Sequence, residues 1–250
     1  MTASSSYRVA LVTGASSGIG RAVALALAEQ GLAVGLCARR IERLETLAGE
    51  IVANGGRAHG IACDMRDTDQ IARAVAEVEA HLGPIDVLVN NAGLGRDAPL
   101  LEGPVEAWRE MLEVNVLGLS ACTLEVVRRM RDRGDDGYVF HVSSMAAHRV
   151  PPGAGMYSAS KYAVRALTEG LRRELRDAGS KIRVTAISPG FVETEFAQVY
   201  AGRPEAAAET YGRFPCLQPG DIADLVVYAL TRPPHVQLHD VLLRPTDQET

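Results

Sequence analysis

Short apolar runs alternate with longer amphipathic stretches along most of the 250-residue chain. The short runs are rich in β-branched residues and predict strands at 8–14, 33–39, 57–64, 85–93, 137–144, 182–190 and 240–245. The longer stretches repeat apolar residues at helical spacing and predict helices at 22–31, 41–56, 67–82, 104–132, 156–178 and 219–231. Strands and helices therefore alternate from one end of the chain to the other.

This alternation is typical of right-handed crossovers that build a parallel sheet. The strands are apolar on both faces, as expected for a sheet covered by helices on both sides. No linker rich in Pro, Gly or Ser divides the chain. We therefore expect one α/β domain over residues 1–250, a doubly wound Rossmann fold with a seven-stranded parallel sheet. The irregular segment at about 191–218 is expected to be a substrate loop.

Composition and charge exclude several classes of protein. The net charge is −5 and no basic run exceeds two residues, which argues against a nucleic-acid or membrane-surface partner. No stretch approaches the roughly 20 apolar residues of a membrane span, and the first residues do not resemble a signal peptide, so we expect a cytoplasmic protein. The cysteines (Cys37, Cys63, Cys122 and Cys216) are far apart in sequence, without metal-ligand spacing. They are expected to be reduced and buried, and no metal site is predicted.

A glycine-rich turn, "TGASSGIG" at 13–20, follows the first predicted strand and opens the first helix. Glycine permits positive φ and close approach to a ligand, and a helix N-terminus suits a pyrophosphate. The candidate phosphate-binding residues are Gly14, Ser16, Ser17, Gly18, Ile19 and Gly20. The alternative, a turn that serves only tight packing, is less consistent with its place between a strand and a helix.

The second predicted strand ends in "CARR". Sites for NAD usually carry an acidic residue there, whereas this chain has Arg39 and Arg40. Guanidinium groups suit a 2′-phosphate, so the predicted cofactor is NADP(H). The alternative is a solvated pair of arginines at the start of a helix.

In "MYSASKYAV" at 156–164, Tyr157 and Lys161 are four residues apart and share one face of a helix. A nearby ammonium favours the phenolate form, as does the positive ring of an oxidised nicotinamide. Tyr157 would then donate or accept the proton in carbonyl reduction or alcohol oxidation. A serine in "VSSM" at 142–145, where a strand ends, could bind the carbonyl oxygen. Alternatively, the Tyr–Lys pair is solvated and the serines form a turn or cap.

Taken together, these motifs resemble the short-chain dehydrogenase/reductases. The shared segments are "TGASSGIG", "NNAG" at 90–93, Asn115 in "EVNVLGL", "VSS", "YSASK" and "SPGFVET" at 188–194, in the same order and spacing. The C-terminal stretch resembles a subgroup that includes ketosteroid reductases, clavulanate dehydrogenase and 3-hydroxy-acid dehydrogenases.

The resemblance implies a role for each matching residue. Tyr157 would be the proton donor or acceptor, Lys161 would lower its pKa and hold the nicotinamide ribose, and Ser144, 13 residues before Tyr157, would orient the substrate. Asn115 would lie at a helix kink and hold a water that links Lys161 to solvent. The remaining cofactor contacts implied are Asp64 and Met65 at the adenine, Asn91 at the adenosine ribose, and Val192 and Thr194 at the nicotinamide carboxamide.

The substrate would be a small-molecule carbonyl or alcohol. The expected pocket wall comprises Leu94, Arg96, Met145, Val150, Phe191, Phe196 and Tyr200. Its apolar character favours a lipophilic ketone such as a ketosteroid. Arg96 or His148 could instead bind an acidic substrate, as in a 3-hydroxy-acid dehydrogenase. A non-catalytic NADP(H) sensor and an isomerase are further alternatives, and a homodimer or homotetramer is expected from the resemblance.

Overall fold

Seven parallel strands form one sheet in this computed structural model, which describes residues 7–249. The strands are β1 (Val9–Thr13), β2 (Ala33–Ala38), β3 (Arg57–Ala62), β4 (Val87–Asn90), β5 (Tyr138–Val142), β6 (Arg183–Pro189) and β7 (Asp240–Leu243). Their spatial order is β3-β2-β1-β4-β5-β6-β7, and every pairing is parallel. The predicted α/β doubly wound fold with seven strands is confirmed. The interpretation of residues 1–6 lies outside the described residues.

Nine α-helices are described within residues 7–249. They are α1 (Gly18–Glu29), α2 (Ile41–Ala53), α3 (Thr68–Leu82), α4 (Val105–Leu112), α5 (Leu119–Asp132), α6 (Gly155–Asp177), α7 (Phe196–Ala201), α8 (Ala206–Tyr211) and α9 (Pro219–Leu230). In the described range, no helix is both long and apolar enough to cross a membrane.

Two apolar layers enclose the sheet. Alternate strand residues point to opposite faces, so Leu11 and Leu88 enter one layer while Val12 and Val89 enter the other. Helices α3 and α5 and part of α6 cover the first face, and α1, α2 and α9 cover the second. Because both faces are buried, the strands are apolar throughout, as their sequences indicate.

The strand order reverses between β1 and β4, which are neighbours in the sheet but separated by two strands in sequence. Chains that leave these two strands turn to opposite faces and open a crevice at their carboxyl ends. The Thr13 hydroxyl crosses this crevice and accepts hydrogen bonds from the N–H groups of Asn91 and Ala92, at 3.1 and 3.0 Å. The sheet thus places its main cleft beside the glycine-rich turn.

The predicted helix at 104–132 is interrupted. A π-helical segment, Glu113–Gly118, separates α4 from α5 and contains Asn115. A π turn adds a residue to the local helical repeat and is frequent at functional sites. The kink expected at Asn115 therefore takes this form.

The segment 191–218 contains more regular structure than its sequence indicates. It folds into α7 and α8, of six residues each, and Val192 forms an isolated bridge with Leu217. Helices this short have too few turns to produce a periodic apolar pattern. The two short helices are therefore the regular structure that the sequence pattern of this segment did not predict.

The thiols are free, with Cys37, Cys63 and Cys122 buried and Cys216 half-buried. Full burial, as expected, is therefore found for three of them.

A strand histidine supplies a pH-dependent contribution to stability. His141 on β5 is buried, and its two ring nitrogens lie 2.9 Å from Thr168 Oγ1 and 3.2 Å from Thr123 Oγ1. Burial lowers the pKa of His141 to about 4. The unfolded chain, with an ordinary histidine pKa of about 6.5, binds the proton first as pH falls. Stability from neutral His141 is therefore complete above pH 6.5 and is lost as pH falls towards 4.

We expect His141→Gln to lose less unfolding free energy than the wild type between about pH 7 and pH 4.5, by about 2.5 kcal/mol. Urea unfolding at both pH values measures this difference. Since other groups titrate in both proteins, only the difference between them reports on His141. Equal losses in the two proteins would contradict the assignment.

Candidate active site

The glycine-rich turn has the backbone conformation that a phosphate cradle needs. Gly14 and Gly18 have φ values of +67° and +54°, and a Cβ on Gly20 would lie 2.4 Å from the Gly14 carbonyl oxygen. Any side chain at Gly20 would therefore displace the turn. Helix α1 begins at Gly18, and its first N–H groups face the cleft with the positive end of the helix dipole. The cradle fits the pyrophosphate of a dinucleotide.

The other predicted cradle residues lie in the same turn. Ser16, Ser17 and Ile19 line a cavity of about 1040 Å³ that extends along the carboxyl ends of the strands. Asn91 Nδ2 donates to the carbonyl oxygens of Thr13 and Gly14, at 3.0 and 3.3 Å. Asn91 therefore fixes the cradle to the end of β4.

Arg40 reaches over the two serines of the cradle. Its Nη2 lies 3.0 Å from Ser16 Oγ and 2.9 Å from Ser17 Oγ. Arg39 is exposed on the same cavity wall. Two guanidinium groups and two hydroxyls thus face the place where the second strand ends.

Asp64 and Met65 follow β3 and line the same end of the cavity. The Arg66 guanidinium donates to the Asp64 carboxylate and holds the pKa of that carboxyl below its usual value. Asp64 is therefore ionised at neutral pH and can accept a hydrogen bond from an amino group. Met65 is buried and supplies an apolar surface beside it.

Three of the four predicted catalytic residues, Ser144, Tyr157 and Lys161, line the cavity, and Asn115 is buried behind them. Tyr157 and Lys161 lie one turn apart on α6, with Lys161 Nζ 5.9 Å from the centre of the Tyr157 ring. Ser144 follows β5 and lowers the pKa of the nearby Tyr157 phenol, and its hydroxyl accepts from the Ala146 N–H at 3.1 Å. The Ser143 hydroxyl instead donates to the Lys161 carbonyl at 3.2 Å. Of the two serines, Ser144 is therefore the one beside the phenol.

Asn115 connects the π segment to both sides of the site. Its Nδ2 donates to the Leu94 carbonyl at 2.8 Å and to Ser160 Oγ at 2.9 Å, and its Oδ1 accepts from the Leu94 N–H at 2.9 Å. These bonds hold the loop after β4 against α6. The predicted role of Asn115 in holding a water stays a prediction.

Burial dominates the proton chemistry of the pair. It raises the pKa of Tyr157 to about 12, partly offset by the hydrogen bond from Ser144, and it lowers the pKa of Lys161 to about 8. Lys161 Nζ donates to the Val142 carbonyl at 3.0 Å. The net effect of the protein groups on the pKa of Tyr157 is therefore upward, because burial disfavours the phenolate. That Lys161 lowers this pKa stays a prediction.

The substrate loop covers the pair with aromatic rings. Phe196 and Tyr200 on α7 lie 5.5 and 6.2 Å from Tyr157, ring centre to ring centre. A Cβ on Gly95 would lie 2.7 Å from the Tyr200 ring and 2.9 Å from the Phe196 ring. Glycine at position 95 is therefore required for these rings to reach the catalytic tyrosine.

Val192 and Thr194 line the cavity where β6 leads into α7. The Thr194 side chain lies over the cradle, since a Cβ on Gly18 would be 3.0 Å from its methyl group. Its hydroxyl accepts from the Phe196 N–H at 3.2 Å and so connects the cradle side of the loop to α7.

Several predicted wall residues lie elsewhere. Leu94, Met145, Phe191, Phe196 and Tyr200 line the cavity, whereas Arg96, His148 and Val150 are absent from its wall within the described chain. Val150 is 61% exposed. Arg96 Nε donates to Glu110 at 2.9 Å and its Nη1 to the Val199 carbonyl at 3.1 Å, so it anchors α7. His148 instead faces Asp240, at 3.7 Å.

The C-terminal tail contributes wall residues that the sequence did not indicate. Gln248 Oε1 accepts from the Phe191 N–H at 3.0 Å, and its Nε2 lies 3.3 Å from the Met145 sulfur. Asp247 and Glu249 line the cavity beside it, as do Arg149, Tyr211 and Arg213. The tail is remote in sequence from the loop it contacts, and no local pattern predicts that contact.

A histidine cluster lies away from the cavity, where β3 meets α3. His59, Glu77 and His81 bring potential ligand atoms within 4.8 Å of one another. His59 Nε2 lies 2.9 Å from Glu77 Oε1, and the two imidazoles stack at 3.9 Å. His59 lies on β3 and the other two lie one turn apart on α3, so the sequence alone does not bring the histidines together. Here they pair with one another at the sheet edge.

Comparison with known proteins gives the family. The model of the family described as short chain dehydrogenase matches residues 8–203. The chain is 50% identical over 249 residues to dehydrogenase/reductase SDR family member 11 of Bos taurus, covering 97% of this chain and 98% of that protein. It is 41% identical over 246 residues to farnesol dehydrogenase of Aedes aegypti, covering 97% of both.

A solved structure agrees with the fold over nearly the whole chain. The closed form of serine dehydrogenase complexed with NADP⁺ superposes with a TM-score of 0.91 at 33% sequence identity, covering 97% of this chain and 96% of that one. The matches of sequence and structure span both the cradle and the Tyr157 region. The chain therefore belongs to the short-chain dehydrogenase family and is an oxidoreductase that acts on CH–OH or C=O groups.

Proposed function

We propose that the protein is an NADP(H)-dependent carbonyl reductase or alcohol dehydrogenase for bulky lipophilic substrates, with Tyr157 as proton donor and acceptor. The observation that carries this proposal is the meeting of Ser144, Tyr157 and Lys161 in one cavity with the phosphate cradle. A cradle and a proton donor in the same cleft are the two parts that hydride transfer to a carbonyl requires.

The nicotinamide, when bound, supplies or accepts the hydride. The Ser144 hydroxyl is placed to hydrogen-bond the substrate oxygen beside Tyr157 and to stabilise the charge that develops on it. Tyr157 gives its proton to that oxygen in reduction and takes it back in oxidation. The nearby Lys161 ammonium stabilises the phenolate that remains. The aromatic cover of Phe196 and Tyr200 excludes water from this exchange.

The NADP(H) preference rests on Arg40 and its two serine partners. A 2′-phosphate would find a guanidinium and the hydroxyls of Ser16 and Ser17 within one small region. Arg39 adds a second positive charge on the same wall. The NADP⁺ complex of the related serine dehydrogenase agrees with this assignment.

The lipophilic substrate class rests on the cavity wall. Met145, Phe191, Phe196, Tyr200 and Phe214 line the same cavity as Tyr157, and Phe196 and Tyr200 lie closest to its ring. The name of one relative, a farnesol dehydrogenase, agrees with a lipophilic alcohol as substrate. A ketosteroid would fit such a wall. The 3-hydroxy-acid alternative loses support because Arg96 pairs with Glu110 and neither Arg96 nor His148 lines the cavity.

We also propose that the protein is a homodimer or homotetramer. Leu117, Leu124 and Tyr162 are exposed on the helices of one side of the sheet, and exposed apolar side chains on neighbouring helices favour a protein interface. Light scattering would distinguish the two assemblies.

A substrate panel tests the proposed reaction. We expect NADPH oxidation with 17-keto and 3-keto steroids, α-diketones or aromatic aldehydes to exceed that with short 3-oxo acids. Tyr157→Phe should lower kcat by about 100-fold or more, because general acid catalysis contributes about that much, while NADPH still binds. Preference for the short acids would overturn the substrate class. Near wild-type turnover by Tyr157→Phe would overturn the proton role, and binding without turnover on any carbonyl would support a sensor.

The pH profile tests the role of Lys161. Its pKa of about 8 means that the ammonium is lost as pH rises through this value, while Tyr157, at about 12, keeps its proton. We expect kcat/KM for ketone reduction to fall above about pH 8, because neutral Lys161 no longer stabilises the phenolate.

The matched variants for this profile are Lys161→Arg and Lys161→Met. Arginine stays charged throughout the range, so the fall should disappear from whatever activity remains. The methionine variant gives the baseline without a titrating amine. A similar fall in all three proteins would assign the titration to another group.

Coenzyme selectivity tests the two arginines. Arg40→Ala should raise KM for NADPH by about 10-fold or more, since it removes a charge-assisted contact, and should change KM for NADH little. Arg39→Asp should shift preference towards NADH, because an acidic side chain there repels the 2′-phosphate. An unchanged ratio of NADPH to NADH efficiency in both variants would contradict the assignment.

A further inference from the structure

Glu195, on the substrate loop directly before α7, points towards the coenzyme side of the cleft. Its Oε2 lies 3.1 Å from Arg40 Nη1 and its Oε1 lies 2.7 Å from Arg43 Nη1. The two arginines belong to the start of α2, about 150 residues away along the chain. A loop assigned to the substrate thus supplies a carboxylate to the proposed 2′-phosphate site.

The Arg40 guanidinium binds three acceptors from two parts of the chain. Arg40 Nη2 donates to Ser16 and Ser17, whereas Arg40 Nη1 donates to Glu195. The arginines hold the pKa of the Glu195 carboxyl below its usual value, so it is ionised at neutral pH. A 2′-phosphate bound at the serines would carry a charge of about −1.5 to −2. It would lie near the Glu195 carboxylate and be repelled by it.

Arg43 gives the carboxylate a second anchor. When a phosphate takes Arg40, Glu195 keeps its contact with Arg43 and remains near the phosphate. The repulsion therefore persists in the complex. It is moderate, because the side chains of Arg40 and Glu195 are 44% and 41% exposed and solvent screens their charges.

We propose that Glu195 is a coenzyme-selectivity residue that weakens the binding of 2′-phosphorylated coenzymes by competing with the phosphate for Arg40. The proposal rests on the NADP(H) function proposed above and deepens it. Coenzymes without the phosphate do not need Arg40, so Glu195 leaves their affinity unchanged. The chain thus carries both the attractive and the repulsive determinant of the preference.

The test compares the binding of NADP⁺ and NAD⁺, which differ only in the 2′-phosphate, to three proteins without substrate. The proteins are the wild type, Glu195→Gln and the control Glu193→Gln. Glu193 lies on the same loop but accepts a hydrogen bond from Gln218 Nε2 at 2.9 Å instead of facing the arginines. Both substitutions remove one negative charge and keep the size of the side chain. Isothermal titration calorimetry gives each Kd.

We expect Glu195→Gln to bind NADP⁺ about 3- to 10-fold more tightly than the wild type, the size expected for exposed charges that solvent screens. Its affinity for NAD⁺ should not change, and Glu193→Gln should match the wild type with both coenzymes. The gain should shrink at about 0.5 M salt, since exposed charges are screened.

Weaker or unchanged binding of NADP⁺ by Glu195→Gln would overturn the inference. An equal gain for NAD⁺, or an equal gain in Glu193→Gln, would also overturn it, because the effect would then not depend on the 2′-phosphate. A wild type that binds NAD⁺ as tightly as NADP⁺ would overturn the proposed coenzyme preference. That result would not decide the role of Glu195, because the effect of Glu195→Gln is measured as the change in Kd from the wild type for each coenzyme.

Discussion

The hydrogen bonds between Thr13 and the start of the loop after β4 are the contacts on which the site depends. They join the carboxyl ends of β1 and β4, where the strand order reverses and the chain departs to opposite faces. The phosphate cradle follows β1 on one side of this crevice. The loop that Asn115 holds against α6 follows β4 on the other side. A cofactor laid across the crevice would therefore touch both, because the sheet topology brings the two loops together.

The catalytic pair shows the opposing effects of burial. Lys161 is only 5% exposed, and its ammonium is less stable there than in water, which lowers its pKa to about 8. The same dry surroundings disfavour the phenolate of Tyr157. A protein with these groups alone keeps its phenol protonated. The positive charge of an oxidised nicotinamide would favour the phenolate when the direction of reaction requires it, so the two directions differ in the proton state they begin from.

The substrate end of the site is assembled from parts distant in sequence. Helix α7 brings Phe196 and Tyr200 onto the catalytic tyrosine, and Arg96 fastens that helix through the Val199 carbonyl. Gln248 in the tail bridges Phe191 and Met145. These contacts together position the apolar wall and the aromatic rings that cover Tyr157. Glu195, at the junction of loop and helix, extends it to the coenzyme side.

The sequence by itself determined the strands, the helices with strong apolar periodicity, the cradle and the Tyr157–Lys161 spacing. These features depend on local order: short apolar runs rich in β-branched residues, helical repeats of apolar residues, and glycine at a strand-to-helix turn. Only the tertiary structure decided the short helices α7 and α8, the pairing of Arg96 with Glu110, the contacts of Gln248 and the pairing of Glu195 with Arg40. It also decided the direction in which the pKa of Tyr157 moves. Each of these depends on which distant groups surround a side chain and how much water they exclude, and neither is encoded in the spacing of neighbouring residues.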